Sequence, residues 1–125
     1  MLTITENAEK TILRFEKEGE LLLTLEEVLT GEKQAQISIS GKLRSELAGI
    51  FMDELLPLAI CGYTVAFDLS GLTYLSTACL DVFLRLQQKM DERKHGSMRF
   101  FGMSEAILHE FEMTGADELL EIGEE

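Results

Sequence analysis

The chain has 125 residues, and its 23 Asp and Glu against 11 Lys and Arg give a formal net charge of −12. A globule of this size is one domain and buries about two-thirds of the surface its unfolded chain exposes. Being 46% hydrophobic and 27% charged, it has enough apolar content for a core. It shows no disordered or collagenous bias and no apolar run long enough to span a bilayer, and its acidity argues against a nucleic-acid backbone or an anionic membrane as partner.

The opening Met1-Leu2-Thr3-Ile4-Thr5-Glu6 lacks the basic start and long apolar stretch of a secretory signal, so a cytoplasmic location is expected. Residues 11–15 and 20–25 are β-compatible runs separated by Glu16-Lys17-Glu18-Gly19, which reads as a hairpin, with residues 21–29 open to a helical reading as well. Gln36-Ile37-Ser38-Ile39-Ser40 alternates apolar and polar, the pattern of a strand with one buried face, which Gly41 is expected to end. Leu43, Leu47, Ile50, Phe51 and Leu55 then recur at helical spacing over residues 44–56, with Ser45 as a candidate cap and Pro57 as a stop or bend.

Residues 64–69, Thr-Val-Ala-Phe-Asp-Leu, form a nearly continuous apolar run expected for a strand buried on both faces. Over residues 77–94, Cys79, Leu80, Val82, Phe83, Leu84, Leu86 and Met90 cover one broad side at 3.6 residues per turn. Asp81 and Arg85 form a favourable i, i+4 pair opposite, and Gly96 is placed to end the helix. Residues 98–101 are a further short strand. A helix carrying Ile107, Leu108 and Phe111 follows, ending at Thr114-Gly115. Strand alternating with helix predicts an α/β fold on a small mixed, mostly parallel sheet. Charge is uneven along the chain. Residues 104–125 hold Glu105, Glu110, Glu112, Asp117, Glu118, Glu121, Glu124 and Glu125 with no Lys or Arg, which reads as a solvated face, or else as a surface that steers a basic partner.

Cys61 and Cys79 are too few for a disulfide framework or a zinc knuckle. His95 and His109 stand in no metal-ligand spacing, and phosphate-cradling loops and the nucleophile elbow are absent, so the residues point to no metal, cofactor or catalytic site. The feature that stands out is Ser76-Thr77, which follows a strand and opens the long helix. A hydroxyl there caps the helix; it is also a favourable position for a phosphate, whose charge the helix end stabilises. Cys79 in the first turn has a dipole-activated thiol as its chemical reading and a buried structural thiol as its packing reading.

Three stretches carry a resemblance: residues 37–43, Ile-Ser-Ile-Ser-Gly-Lys-Leu; residues 65–75, Val-Ala-Phe-Asp-Leu-Ser-Gly-Leu-Thr-Tyr-Leu; and Met113-Thr114-Gly115 with Leu119-Leu120-Glu121-Ile122. In order and spacing, from about Gln34 to Ile122, they resemble the STAS family of bacterial anti-sigma factor antagonists. The resemblance implies a STAS-like (SpoIIAA-like) sheet with helices packed on one side, over residues 34–125. Residues 1–33 exceed the usual lead-in and read as an N-terminal extension, its hairpin being either an added edge element or a second interaction surface. The resemblance also implies no enzymatic activity and no cofactor. The partner would be an anti-sigma factor with a kinase-type fold, bound at the loop Ser76, Thr77, Ala78 and Cys79. The family loop reads Asp-Ser-Ser/Thr-Gly-Leu. The phosphoacceptor position falls on Thr77, Ser76 stands in place of the Asp, and Cys79 stands in place of the Gly, where its Cβ is expected to crowd a docked partner.

Two other readings stand beside this one. In the first the domain is a scaffold or adaptor in a larger signalling or transport assembly, with Thr77 acting as a helix cap; in the second it is a small-molecule binder or enzyme using Cys79. Self-association into a homodimer is compatible with each.

Overall fold

A computed structural model describes residues 1–123. Among these residues seven strands form a single mixed sheet in sequence order: β1 (Leu2–Glu6), β2 (Lys10–Lys17), β3 (Glu20–Gly31), β4 (Gln34–Leu43), β5 (Thr64–Leu75), β6 (Ser97–Phe101) and β7 (Glu121–Ile122). The first four strands meander antiparallel, and β4, β5, β6 and β7 run parallel. Helices α1 (Ala48–Ile60), α2 (Thr77–Arg93), α3 (Glu105–Met113) and α4 (Ala116–Leu119) fill the parallel crossovers.

The N-terminal strands follow from local chemistry. Glu18 (φ 54°) and Gly19 (φ 78°) form a two-residue turn of the left-handed kind that matches strand twist, and they join β2 to β3. The helical alternative for residues 21–29 is thereby overturned, because these residues lie within β3 and pair on both edges. Gly41 does not end its strand. β4 runs on to Leu43, and Gly41 at φ +100° lets it pass so close to β3 that a Cβ would lie 2.2 Å from the Leu22 carbonyl oxygen.

Burial along β5 alternates. Val65, Phe67 and Leu69 are buried, while Ala66 and Asp68 are only partly covered. The expectation of a strand buried on both faces is therefore corrected: helices cover one face, and small or polar residues such as Ser38, Ala66 and Asp68 line the other. On the covered face Phe83 of α2 inserts between the layers. Its ring lies 5.1 Å from Phe67, 4.8 Å from Phe100 and 5.2 Å from Phe51, each edge-to-face, and Phe67 stacks on Phe100 at 4.9 Å. Such pairs are worth about 0.5–1.5 kcal/mol beyond the area they bury.

Three helix boundaries differ from the sequence expectation. A short 3₁₀ turn, Ser45–Leu47, precedes α1, and Ser45 makes no capping bond there. α1 continues through Pro57 to Ile60, since Leu58 and Ala59 prolong its buried stripe while Pro57 faces solvent, where water can serve the carbonyl it leaves unpaired. α2 stops at Lys94, which takes the left-handed conformation (φ 55°) itself, two residues before Gly96. Of the acidic C-terminal run, Glu105, Glu110, Glu112, Asp117, Glu118 and Glu121 are all exposed, and Glu124 and Glu125 lie outside the described residues.

A different set of carboxylates sits against the covered face. Glu27 of β3 shares that face with Ile37 and Thr11, its partners across the ladders. Its carboxyl is held above the usual carboxylate range by burial first, then by the charges of Glu54 and Glu6. Glu54 of α1 is raised for the same reasons, burial and Glu6. A carboxyl whose folded pKa is raised stabilises the fold below the unfolded value, and that contribution disappears as pH climbs through the folded pKa. Glu27→Gln is therefore expected to raise the melting temperature at pH 7, and the gain should vanish when both proteins are melted below the unfolded carboxyl value of 4.5. Phe83→Ala should cost about 3–5 kcal/mol in denaturant titrations, the range for emptying a fully enclosed aromatic site.

Candidate functional site

The parallel pair β4 and β5 ends at Leu43 and Leu75, which lie side by side in register. Both chains turn toward the helix layer from there, so the exit of β4 into the 3₁₀ turn and the exit of β5 into α2 form one rim, where open α/β sheets commonly place their binding sites. Three hydrogen bonds fasten the two exits together. The Ser76 amide donates to the Leu43 carbonyl at 2.9 Å, the Thr73 hydroxyl donates to the Gly41 carbonyl at 3.1 Å, and the Cys79 thiol donates to the Arg44 carbonyl at 3.3 Å.

The loop residues divide by role. Ser76 has an extended backbone (ψ 155°), and its hydroxyl accepts the Cys79 amide at 3.2 Å, so Ser76 is the N-cap of α2. It is 6% exposed. Thr77 is the first helical residue, and its side chain is exposed, as is that of Ala78. Cys79 is completely buried. Capping is thus carried by Ser76, and the reading of Thr77 as the helix cap is set aside. Nor does the Cys79 side chain obstruct the rim, because its Cβ and thiol point inward toward Arg44, so the expected crowding of a partner does not arise. Burial pushes the Cys79 thiol up from its ordinary 9.0, outweighing a smaller lowering from the Ser76 hydroxyl. A buried, protonated thiol is a poor nucleophile, which removes the basis for chemistry at Cys79.

Two grooves flank the loop. One, about 340 Å³, runs between α1 and α2 and is lined by Ala48, Gly49, Met52, Ala78 and Val82, with Asp53, Asp81 and Arg85 at its border. Arg85 is engaged there by Asp81, Nε to Oδ2 at 2.7 Å. The other, about 600 Å³ and more open, is lined by Lys42, Arg44, Ser45, Thr73 and Tyr74. Tyr74 is 51% exposed, and Arg44 Nε lies 3.2 Å from Glu46. These residues were not singled out from the sequence. Their signal is the alternation of Lys42 with Arg44 at the end of a strand, with each exposed and flanking the buried Leu43. The histidines lie elsewhere. Both are exposed, and His95 bonds through Nε2 to the Ile60 carbonyl at 3.0 Å, tying the end of α2 to the end of α1.

The arrangement sets an exposed hydroxyl at a helix N-terminus, between a largely apolar groove and one lined by Lys42 and Arg44. It predicts separable roles for adjacent hydroxyls. Ser76→Ala should lose about 0.5–2 kcal/mol of stability, the cost of an N-cap. Thr77→Ala should stay within about 0.5 kcal/mol of the native chain, as an exposed side chain does. Urea denaturation of the two variants measures both.

Comparison with known proteins agrees with this fold. A family model described as Mlab, STAS domain, matches residues 26–121. The anti-sigma-B factor antagonist of Bacillus subtilis (strain 168) is 27% identical over 96 residues, which cover 77% of this chain and 87% of that protein. Among solved structures, the anti-sigma factor antagonist SpoIIAA in its unphosphorylated form superposes with a TM-score of 0.67 at 10% identity, covering 79% of this chain and 87% of that one. A putative anti-sigma factor antagonist from Thermotoga maritima gives 0.65 at 13% identity, over 79% and 84%. Another, from Mycobacterium paratuberculosis, gives 0.61 at 15% identity, over 90% and 84%. The structural likenesses show a common fold; together with the family match over most of the chain, they establish that this protein is a member of the STAS domain family.

Proposed function

We propose that this protein is a cytoplasmic, non-enzymatic regulator that binds an anti-sigma factor with a kinase-type fold through the rim of β4, β5 and α2. Thr77 is its phosphoacceptor and its off switch. The observation that carries this reading is the division of labour at the loop. Ser76 caps the helix from inside, and the Thr77 hydroxyl next to it is left exposed and uncommitted at the positive end of α2. The antagonist named for Bacillus subtilis supports the class of partner. A phosphate on Thr77 would bring a charge of about −1.5 to −2 and a hydrated bulk to the middle of the docking rim. The helix end stabilises that charge, so the modification blocks a visitor without unfolding the domain.

A second reading keeps the rim as a docking surface and omits the switch, making the domain a scaffold or adaptor in a larger signalling or transport assembly. Ser76, standing where the family loop carries Asp, favours it.

The two readings separate in one experiment. The chain is incubated with ATP and each purified anti-sigma kinase of its own source organism, phosphate is mapped by mass spectrometry, and binding of wild type and Thr77→Glu to the same kinases is titrated. The switch predicts phosphate on Thr77 and at least about tenfold weaker binding of Thr77→Glu, a loss of about 1.4 kcal/mol or more. Equal binding of both proteins with no phosphate on Thr77 would establish the scaffold instead.

A further inference from the structure

The sheet begins with an edge strand whose one guard is Glu6 at its far end, on the helix-covered face near Glu27 and Glu54. β1 has one neighbour among the described residues, β2, and its other side is open. Natural edge strands are blunted by Lys, Pro, a bulge or an inward-pointing charge. Met1-Leu2-Thr3-Ile4-Thr5 has no such residue, and its register with β2 is regular from Leu2 opposite Phe15 to Glu6 opposite Thr11.

The hydrogen bonds fix which backbone groups face outward. The Met1 carbonyl accepts the Glu16 amide at 2.8 Å, and the Asn7 amide donates to the Lys10 carbonyl at 2.8 Å. Positions 1 and 7 therefore face β2. By the alternation of an antiparallel ladder so do Thr3 and Thr5, and the N–H and C=O groups of Leu2 and Ile4 point away from the sheet. The same two residues carry apolar side chains on the helix-covered face, beside Phe15 and the buried Leu13. Leu2 packs against the core, while Ile4 remains 50% exposed.

We infer that β1 pairs antiparallel with β1 of a second copy of this chain, joining two sheets about a two-fold axis through Thr3. Only pairings that oppose even residues to even residues join the outward groups of both strands. Centred on Thr3, the pairing sets Leu2 against the partner's Ile4 and Ile4 against the partner's Leu2. Each such pair exchanges both its N–H···O bonds and covers apolar surface on the same face. Centred on Ile4 instead, it would set Leu2 against Glu6, burying a carboxylate beside a leucine. The Thr3 register leaves Glu6 outside the contact. Two molecules of net charge −12 repel, and residues 1–5 form a strip free of side-chain charge where a second copy can approach with the least repulsion. The inference is independent of the role of Thr77.

A single five-residue strand forms a contact well below about 1,200 Å², so the association is weak and reversible. Sedimentation of the full chain from about 10 µM to about 1 mM is expected to show the mass rising from monomer toward dimer. The dimer should be favoured by added salt, which screens the repulsion. Ile4→Pro removes only an outward N–H, a replacement that edge strands tolerate, and should keep the protein monomeric with an unchanged circular dichroism spectrum. Ile4→Lys is a second variant that should do the same by charge. Hydrogen exchange should show the Leu2 and Ile4 amides slowing as concentration rises, while Thr3 and Thr5 are protected throughout. A wild type that stays monomeric over the whole range would overturn the inference, as would a dimer undiminished in both Ile4 variants or exchange at Leu2 and Ile4 that ignores concentration.

Discussion

The parallel pairing of β4 with β5 is the constraint on which the functional surface depends. It sets Leu43 and Leu75 side by side, so two chain exits that are 32 residues apart in sequence become one rim. Parallel pairing alone leaves such exits loose; here the bonds from Ser76, Thr73 and Cys79 to three carbonyls of the other exit, those of Leu43, Gly41 and Arg44, fasten them. Phe83 holds the arrangement from beneath. It anchors α2 against Phe67 of β5 and Phe100 of β6 and reaches Phe51 of α1 on the other side. The helix that presents Thr77 is thus fixed at both levels, by its cap at the rim and by an aromatic plug about two turns further along.

This architecture explains how the loop tolerates its departures from the family pattern. A cysteine where the family has glycine would obstruct a partner if its side chain faced outward, but position 79 is the third residue of α2 and faces the core. There the thiol finds a carbonyl acceptor and the apolar neighbours that suit it. A serine where the family has aspartate keeps an oxygen for the Cys79 amide and gives up a negative charge. The structural duty of the loop is therefore preserved, and the change falls on its electrostatics, where a docked partner would sense it.

What could be read from the amino-acid pattern was whatever a single period or a short local signal encodes. The alternation at residues 36–40, the broad apolar side of α2 and the Ser76-Thr77 helix start were all legible, and each corresponds to an element in the fold. The losses came where a tertiary partner decides. Val65 to Leu69 reads as buried throughout because Ala66 is apolar, yet among the described residues no helix covers its face and Ala66 stays half-buried. Pro57 reads as a helix stop, yet packing of Leu58 and Ala59 carries α1 past it. Gly41 reads as a strand end, yet it is the point where β3 passes too close for any Cβ. Ser45 and Ser76 look alike as candidate caps, and only the Ser76 hydroxyl has an amide in place to donate to it. Local sequence does not tell the two serines apart, because the difference lies in whether the preceding strand delivers an extended residue directly into a helix or into a 3₁₀ turn.

The antiparallel half of the sheet then acquires a meaning of its own. The family match begins at residue 26, inside β3, so β1 and β2 lie outside it and widen the sheet on the side away from the rim. Two strands, β2 and β3, stand between β1 and β4. With a spacing of about 4.8 Å between neighbours, β1 lies roughly 14 Å from β4, beyond the direct reach of a side chain at the rim. A pairing of two copies at β1 would accordingly leave each rim open, with the two β4 strands seven spacings apart, roughly 34 Å. Because that pairing is antiparallel, the two β4 strands run in opposite senses, so each rim stands at its own end of the joined sheet and takes its own visitor.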